Sequence, residues 1–383
     1  MELVFIFITG SYLFFIGILI YGFDKVAIVE NKNNNPKTTF SIIVPFRNEE
    51  SAILELLESI SKLNYSHNLF EIILVNDASE DNSVAVIERW KTENTTISAT
   101  ILQNKRTSNS PKKDAITTAI NVMKNEWIIT TDADCTVPKK WLSSFDNYIK
   151  NTTFEMLAGA VSLSPTLSKG KGANTSKSSL NTFLNFFQFV DLLSLQGTTI
   201  GSFGINKPFM CNGANFGFTK KLFLELNGFA GNENLASGDD VFLLQKAIQS
   251  CPEKVAYLKN QDANVLTKSE VSWANLFQQR VRWASKTGSY ESNFAKMLAV
   301  AVLAINALLV GLFCFGLWNF FFGIFILKFL FDYVLLYKTN RFFGNTDFFF
   351  PVWSSLLYPF FASCVGIYSF FGTFDWKGKS YRK

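Results

Sequence analysis

The chain has a single histidine, His67, in 383 residues. A three-histidine zinc site and a histidine-based metalloprotease helix are therefore excluded. A Ser-His-Asp triad would have to use His67, which sits in the polar stretch Asn64 to Asn68 between a helical pattern and a strand, a poor setting for a catalytic imidazole. The five cysteines, at 135, 211, 251, 314 and 364, are scattered without a close pair or a C-x-x-C. Neither a disulfide framework nor a thiolate cluster is indicated, and the pattern suits a reducing compartment. No G-x-G-x-x-G follows the first strand and there is no Walker A sequence, which argues against a dinucleotide site and a P-loop ATPase. Residues 24–294 carry 28 Lys+Arg against 27 Asp+Glu. With no basic face implied, nucleic acid is not an expected partner.

Phenylalanine, by contrast, is abundant: there are 41, of which 23 fall in residues 1–23 and 295–383. Leu3 to Gly22 is uncharged and long enough to span a bilayer core. Glu2 precedes it and Lys25, Lys32 and Lys37 follow, so residues 1–23 are expected to be a retained anchor with the chain beyond it cytoplasmic. Residues 295–383 offer two or three further spans, near 297–317, 318–337 and 348–371. A basic tail of Lys377, Lys379, Arg382 and Lys383 follows them. Three full crossings would put that tail outside, where the charge rule does not want it. Either one segment is re-entrant or interfacial, or the tail breaks the rule. Lys328 and Asp332 stand at i, i+4 within the second of these segments, a spacing that suits a pair buried against a neighbouring helix; intramembrane charge is also a frequent mark of function. The location expected is a cell (inner) membrane, multi-pass.

The middle, 24–294, reads as one α/β domain. Phe40 to Pro45, Phe70 to Val75, Ala99 to Leu102 and Glu126 to Thr131 are short apolar runs with strand character. Helical patterns lie between them: Ile53, Leu56, Leu57 and Ile60 share a face, a second helix runs through Trp90, and a third spans Lys112 to Met123. Strands alternating with helices imply a mostly parallel sheet flanked by helices. Lys169 to Ser179 reads as a loop. The stretch near 180–196 (LNTFLNFFQFVDLLSL), apolar but interrupted by Asn, Gln and Asp, suits a helix in the membrane interface, with a buried core helix as the alternative.

In such sheets ligands gather at the carboxyl ends of strands. Asp132-x-Asp134 directly follows a strand, and two carboxylates so spaced can share one divalent cation that neutralises a diphosphate. Asp77 ends the second strand and suits either a nucleoside contact or a helix cap with Ser79 and Glu80. Gly238-Asp239-Asp240 opens a helical run, where adjacent acids are often dipole caps. Gln279 and Arg282 share a helical face beside Trp283. They suit a diphosphate clamp and a sugar wall, or an amphipathic interfacial helix.

Taken together, these residues resemble the family 2 glycosyltransferases, in the membrane-anchored branch that includes cellulose, chitin, hyaluronan and poly-N-acetylglucosamine synthases and ceramide glucosyltransferase. The matches run in the family's order: Ser41 to Glu50 (SIIVPFRNEE), Val75 to Asp81 (VNDASED), Lys112, Asp132-Ala-Asp134, Asn212-Gly-Ala-Asn215, Gly238-Asp-Asp240 and Gln279-x-x-Arg282-Trp283. Asn76-Asp77-Ala78-Ser79 stands where the family has Asp-Asp-Gly-Ser, and Pro111-Lys112 where it has Gly-Lys. The resemblance implies a GT-A fold, a nucleotide-sugar donor (a UDP-sugar) and Mg²⁺ or Mn²⁺. It implies a donor site drawn from Pro45, Arg47, Glu49, Asp77, Lys112, Asp132 and Asp134, with Asp132 and Asp134 on the metal. Asp240 is implied as the base, with Asp239 beside it. Asn212, Gly213, Gln279, Arg282 and Trp283 are implied on the acceptor and diphosphate side, facing a lipid or glycan acceptor. Two other classes fit parts of the pattern: a transporter or scaffold with an inactive α/β domain, and a membrane-anchored nucleotidyltransferase.

Overall fold

The computed structural model describes residues 2–31, 35–164, 175–233, 235, 237–345, 349, 351–371, 373–376 and 379–382, with backbone only for 175–181 and 371–382. The chain forms two compact units. One comprises residues 27–162 and 210–268; the other comprises 1–26, 163–209 and 269–383. Segments 163–209 and 269–294, which the sequence reading grouped with the α/β domain, thus cluster with the apolar helices.

The first unit is built on a seven-stranded sheet. In chain order its elements are β1 (Phe40–Phe46), α2 (Ile53–Ser61), β2 (Phe70–Asn76), α3 (Ser83–Glu93), β3 (Ser98–Gln103), α4 (Pro111–Ile120), β4 (Trp127–Thr130), α5 (Trp141–Ile149) and β5 (Met156–Gly159). After an excursion they continue with β7 (Phe216–Thr219), α7 (Lys220–Glu225), α8 (Asp239–Ser250) and β8 (Val255–Leu258). A short second ladder pairs β6 (Val161–Leu163) with β9 (Val265–Thr267). The strand order is β3-β2-β1-β4-β7-β5-β8, and β7 alone among these seven runs antiparallel to its neighbours.

The reason is visible in the strands. β1, β2 and β4 are nearly unbroken apolar runs, as expected for strands covered on both faces. Edge strand β3 alternates exposed and half-buried residues. Ile53, Leu56, Leu57 and Ile60 of α2 are fully buried and join the cluster of Phe40, Ile42, Val44, Trp141 and Phe145. Register aligns Val44 with Leu74 and Ile43 with Thr130, so three parallel strands deliver their carboxyl ends to one edge. Asn215 locks the far side: fully buried, it accepts from Trp141 Nε1 (2.9 Å) and donates to the carbonyls of Ala160 and Ala263 (2.7 Å each).

The second unit is helical: α1 (Glu2–Lys25), α6 (Thr175–Gly204), α9 (Trp273–Ala284), α10 (Asn293–Cys314), α11 (Trp318–Phe342) and α12 (Val352–Phe371), followed by a hairpin of β10 (Thr373–Trp376) and β11 (Lys379–Arg382). Four of these helices, α1, α10, α11 and α12, are long and apolar enough to cross a membrane. Residues 165–174, most of the expected loop, lie outside the described residues, as do the side chains of the basic tail; the helix already begins at Thr175. The segment 180–196 is the middle of α6. Phe183 and Phe187 meet Trp273, and Phe186 and Phe189 meet Phe349, all as aromatic pairs within the unit. Buried Lys328 and half-buried Asp332 pair at 2.5 Å, closed by a hydrogen bond from Tyr12 Oη of α1 to Asp332 (2.6 Å) and by the rings of Tyr12 and Tyr358 over the ammonium.

Candidate active site

In the sheet unit, the turn after β4 and the first turns of α4 and α8 meet at a lysine. Pro111 opens α4 at its first turn, where its missing N–H costs nothing, and sets Lys112 at the helix start. Lys112 Nζ lies 2.6 Å from Asp132 and 3.3 Å from Asp239. Burial alone would push this ammonium down, but the charges of Asp132, Asp239 and Asp240 outweigh it and hold it above the usual lysine range.

Asp239 and Asp240 occupy the first turn of α8. The cap is Gly238, at φ +91° and without a side-chain bond, so the two acids are not the cap itself. They project into the site instead: Asp240 accepts from the Gly213 N–H (2.9 Å) and from the Val241 N–H (2.7 Å). Gly213 in turn gives its carbonyl to Thr130 Oγ1 at the end of β4 (2.7 Å). A Cβ at 213 would stand 3.0 Å from Asp239 Oδ2 and 3.2 Å from Lys112 Nζ, so a larger residue would press on both charged groups. Asn212 holds the turn by accepting from the Ala214 N–H (3.0 Å).

Asp132 and Asp134 are half-buried, and their carboxylates lie with the Cys135 thiol in a group whose donor atoms are all within 4.8 Å of one another. Burial, reinforced by Asp134 and Asp132, pushes the Cys135 thiol well up and leaves it protonated. The two carboxylates supply hard oxygen donors, which fit a divalent cation such as Mg²⁺ or Mn²⁺.

A second cluster surrounds Asp77, which is only 8% exposed. Arg47 donates to its carbonyl (3.3 Å) and lies 3.8 Å from its carboxylate. Arg106 approaches to 3.5 Å, and Asn104 Nδ2 donates at 2.7 Å. Helix α3 starts at Ser83, six residues on, and Asp81 accepts from the Ser83 N–H (3.0 Å), so Asp77 is no helix cap. Asn76, in the place of the family's first acid, accepts from the Ser79 N–H (2.9 Å) and shapes the turn. Ala78 sits at φ +55°, the left-handed region that the family's glycine would adopt freely. Pro45 lies beside Val75 in register, and half-buried Glu49 uses its N–H to bond Ser83 Oγ (2.8 Å).

Arg106, Asn104 and Asp114 were not anticipated. Asp114 accepts from Arg106 Nε (3.2 Å) and from the N–H groups of Thr107 (3.1 Å) and Ser108 (3.0 Å), and so folds the loop that presents Arg106 to Asp77. Burial would raise its carboxyl, but the hydrogen bonds from Ser108 and Thr107 hold it below the usual range. The available signal was position: Asn104 follows β3 as Asp77 follows β2.

Residues 41–212 match the sequence model described as Glycosyl transferase family 2. This segment is a family 2 glycosyltransferase domain. The chain is 28% identical over 110 residues (29% of the chain, 18% of the relative) to a poly(ribitol-phosphate) beta-N-acetylglucosaminyltransferase, TarS, of Staphylococcus aureus (strain Mu50 / ATCC 700699). It is 31% identical over 108 residues (28% and 32%) to the undecaprenyl-phosphate 4-deoxy-4-formamido-L-arabinose transferase of Shewanella sediminis (strain HAW-EB3). The matched segments thus span under a third of either relative's length. Among solved structures, the mannosyltransferase PcManGT of Pyrobaculum calidifontis, in complex with GDP-Man and Mn²⁺, aligns over 97% of this chain and 99% of its own, with a TM-score of 0.59 at 15% identity. That likeness establishes the GT-A-type fold.

Of the residues to which the resemblance gives a role, Pro45, Arg47, Glu49, Asp77, Lys112, Asp132, Asp134, Asn212, Gly213, Asp239 and Asp240 all lie in the sheet unit. Gln279, Arg282 and Trp283 lie in α9 of the helical unit, where Gln279 donates to Glu270 (2.6 Å) and accepts from Arg280, and the Arg280 guanidinium stands 4.2 Å from the Trp283 ring centre.

Proposed function

We propose that the protein is a membrane-bound, inverting glycosyltransferase that moves a sugar from a UDP-sugar to a lipid or growing glycan at the cytoplasmic face of the cell membrane. The observation that carries this reading is Lys112. One half-buried ammonium ties the D-x-D carboxylate Asp132 to Asp239, whose neighbour Asp240 is fixed by backbone donors. Diphosphate chemistry and base chemistry thereby share one point of the fold.

In this reading Asp77, with Arg47 and Arg106 around it, receives the uridine. Lys112 lies against the diphosphate and stabilises charge as it leaves. Asp132 and Asp134 would hold the divalent cation, which supplies further neutralisation of the diphosphate when bound. The acceptor hydroxyl oxygen forms a bond to the anomeric carbon as the bond from that carbon to the diphosphate oxygen breaks. The electron pair leaves with UDP, and the hydroxyl proton passes to Asp240. Attack opposite the leaving group inverts the anomeric centre. The family resemblance gives the acceptor and diphosphate role to Gln279, Arg282 and Trp283.

Four helices of membrane-spanning length support the membrane reading, and the names of the two relatives place phosphate-bearing polymers and lipids among acceptors of this class. The leaving group tests it. With a UDP-sugar the wild type releases UDP, and Asp134→Ala releases at least about 100-fold less. Release of pyrophosphate would assign the site to nucleotidyl transfer instead.

A further inference from the structure

Three polar residues of α6, Asn185, Gln188 and Asp191, stand at i, i+3 and i+6, and each meets the segment that carries Gln279. Ser269 Oγ donates to Asn185 (3.2 Å). Gln188 grips the backbone of Glu270 at both ends, donating to its carbonyl (3.0 Å) and accepting from its N–H (2.8 Å). Asp191 pairs with Arg280 Nε at 2.5 Å, in a site where the two side chains are 6% and 9% exposed. Between these polar contacts, Leu184 and Phe187 of α6 pack on Leu276 and Trp273 of α9. Apolar contact fixes the spacing of two helices but tolerates sliding and rotation, whereas a buried ion pair has one satisfied geometry.

That geometry reaches the motif. Arg280 is held by Asp191, donates to Gln279 and lies over the ring of Trp283; Glu270, whose backbone Gln188 grips, accepts from the Gln279 amide. Both functional groups of Gln279 are thus engaged by residues that α6 orients. We propose that the polar stripe of α6, with Asp191–Arg280 at its centre, is the positioning device of the acceptor-side motif, and that Asp191 and Arg280 are positioning residues for Gln279 and Trp283. The role given to Gln279 and Trp283 rests on the function proposed above; the positioning itself does not.

The test uses the full-length protein in nanodiscs, with Asp191→Asn, Asp191→Glu, Gln279→Ala and the double variant Asp191→Asn/Gln279→Ala. Lys338→Ala, which removes a partly exposed pair with Asp24, is the control. Two readouts are taken: steady-state transfer, and hydrogen exchange of the 273–284 and 293–314 segments. For Asp191→Asn we expect kcat to fall about 10–100-fold with donor KM changed less than about 3-fold, Asp191→Glu to recover part of the loss, and the double variant to be no slower than the slower single variant. Exchange should rise in 273–284 only. Equal loss of protection in 293–314, additive losses in the double variant, or unchanged kcat and unchanged protection would each overturn the proposal. If the wild type transfers no sugar, the proposed function fails. Exchange then decides positioning alone: a rise confined to 273–284 upholds it, and unchanged protection there refutes it.

Discussion

In the proposed reaction Asp240 is the base. Two backbone N–H groups orient its carboxylate, and an amide in its place cannot accept the proton. Asp240→Asn should therefore lower transfer by about 100- to 10,000-fold while leaving nucleotide binding, followed by isothermal titration with UDP, nearly unchanged. Equal loss of both would mean that Asp240 builds the donor site. Asp114 makes a different kind of prediction. Its carboxyl is depressed in the folded state, so its stabilisation is fully present above the unfolded value near pH 4 and is lost as pH falls through that value towards the folded one. The wild type should lose thermal stability more steeply than Asp114→Asn below about pH 4, and the variant should bind donor more weakly at neutral pH because Arg106 loses its support. Parallel pH profiles would contradict this. D-x-D, Asp77 and Gly238-Asp-Asp240 were legible because each follows a strand or opens a helix. Arg106 and Asn104 were not, because a loop that folds around one carboxylate leaves no periodic trace.

At the scale of elements, α1 and α6 meet through glycine. A Cβ on Gly204 would stand 1.8 Å from the Gly22 carbonyl oxygen, and one on Gly201 would stand 2.4 Å from that of Leu19. Small residues allow such backbone approach between helices. Gly204→Ala should cost about 1–3 kcal/mol, seen as a lower melting temperature in detergent, whereas Gly10→Ala, which meets nothing within 4 Å, should not. The pair Lys328–Asp332 makes a sharper distinction between structure and transport. Lys328→Met alone leaves the half-buried Asp332 carboxylate without its cation and should destabilise by about 1–3 kcal/mol, while Lys328→Met/Asp332→Leu should recover most of that and retain sugar transfer. Loss of activity in a stable double variant would give the pair a functional role. The runs that became β1, β2 and β4 were readable as unbroken apolar segments, whereas β5, β7 and β8 are four residues each and carry no period. The polar interruptions of α6 suggested a helix lying in an interface; their partners are side chains and backbone near α9, over 80 residues away in sequence, which local pattern cannot show.

At the scale of the molecule, the phenylalanine-rich ends and the near-neutral middle correspond to two compact units, but the boundary is not a simple cut. Residues 163–209 and 269–294, globular in composition, belong with the apolar helices. Three chain segments, interleaved in sequence, therefore share the helical unit that carries Gln279, Arg282 and Trp283, while the charged constellation at Lys112 belongs to the sheet unit. The most direct test of the central claim follows radiolabel from a panel of UDP-sugars, with Mg²⁺ or Mn²⁺, into membranes containing the full-length protein. The wild type is predicted to transfer label from one donor to a lipid or glycan product, and Asp134→Ala and Asp240→Asn to transfer almost none. Label moving as fast in both variants as in the wild type, or from no donor at all, would contradict the account.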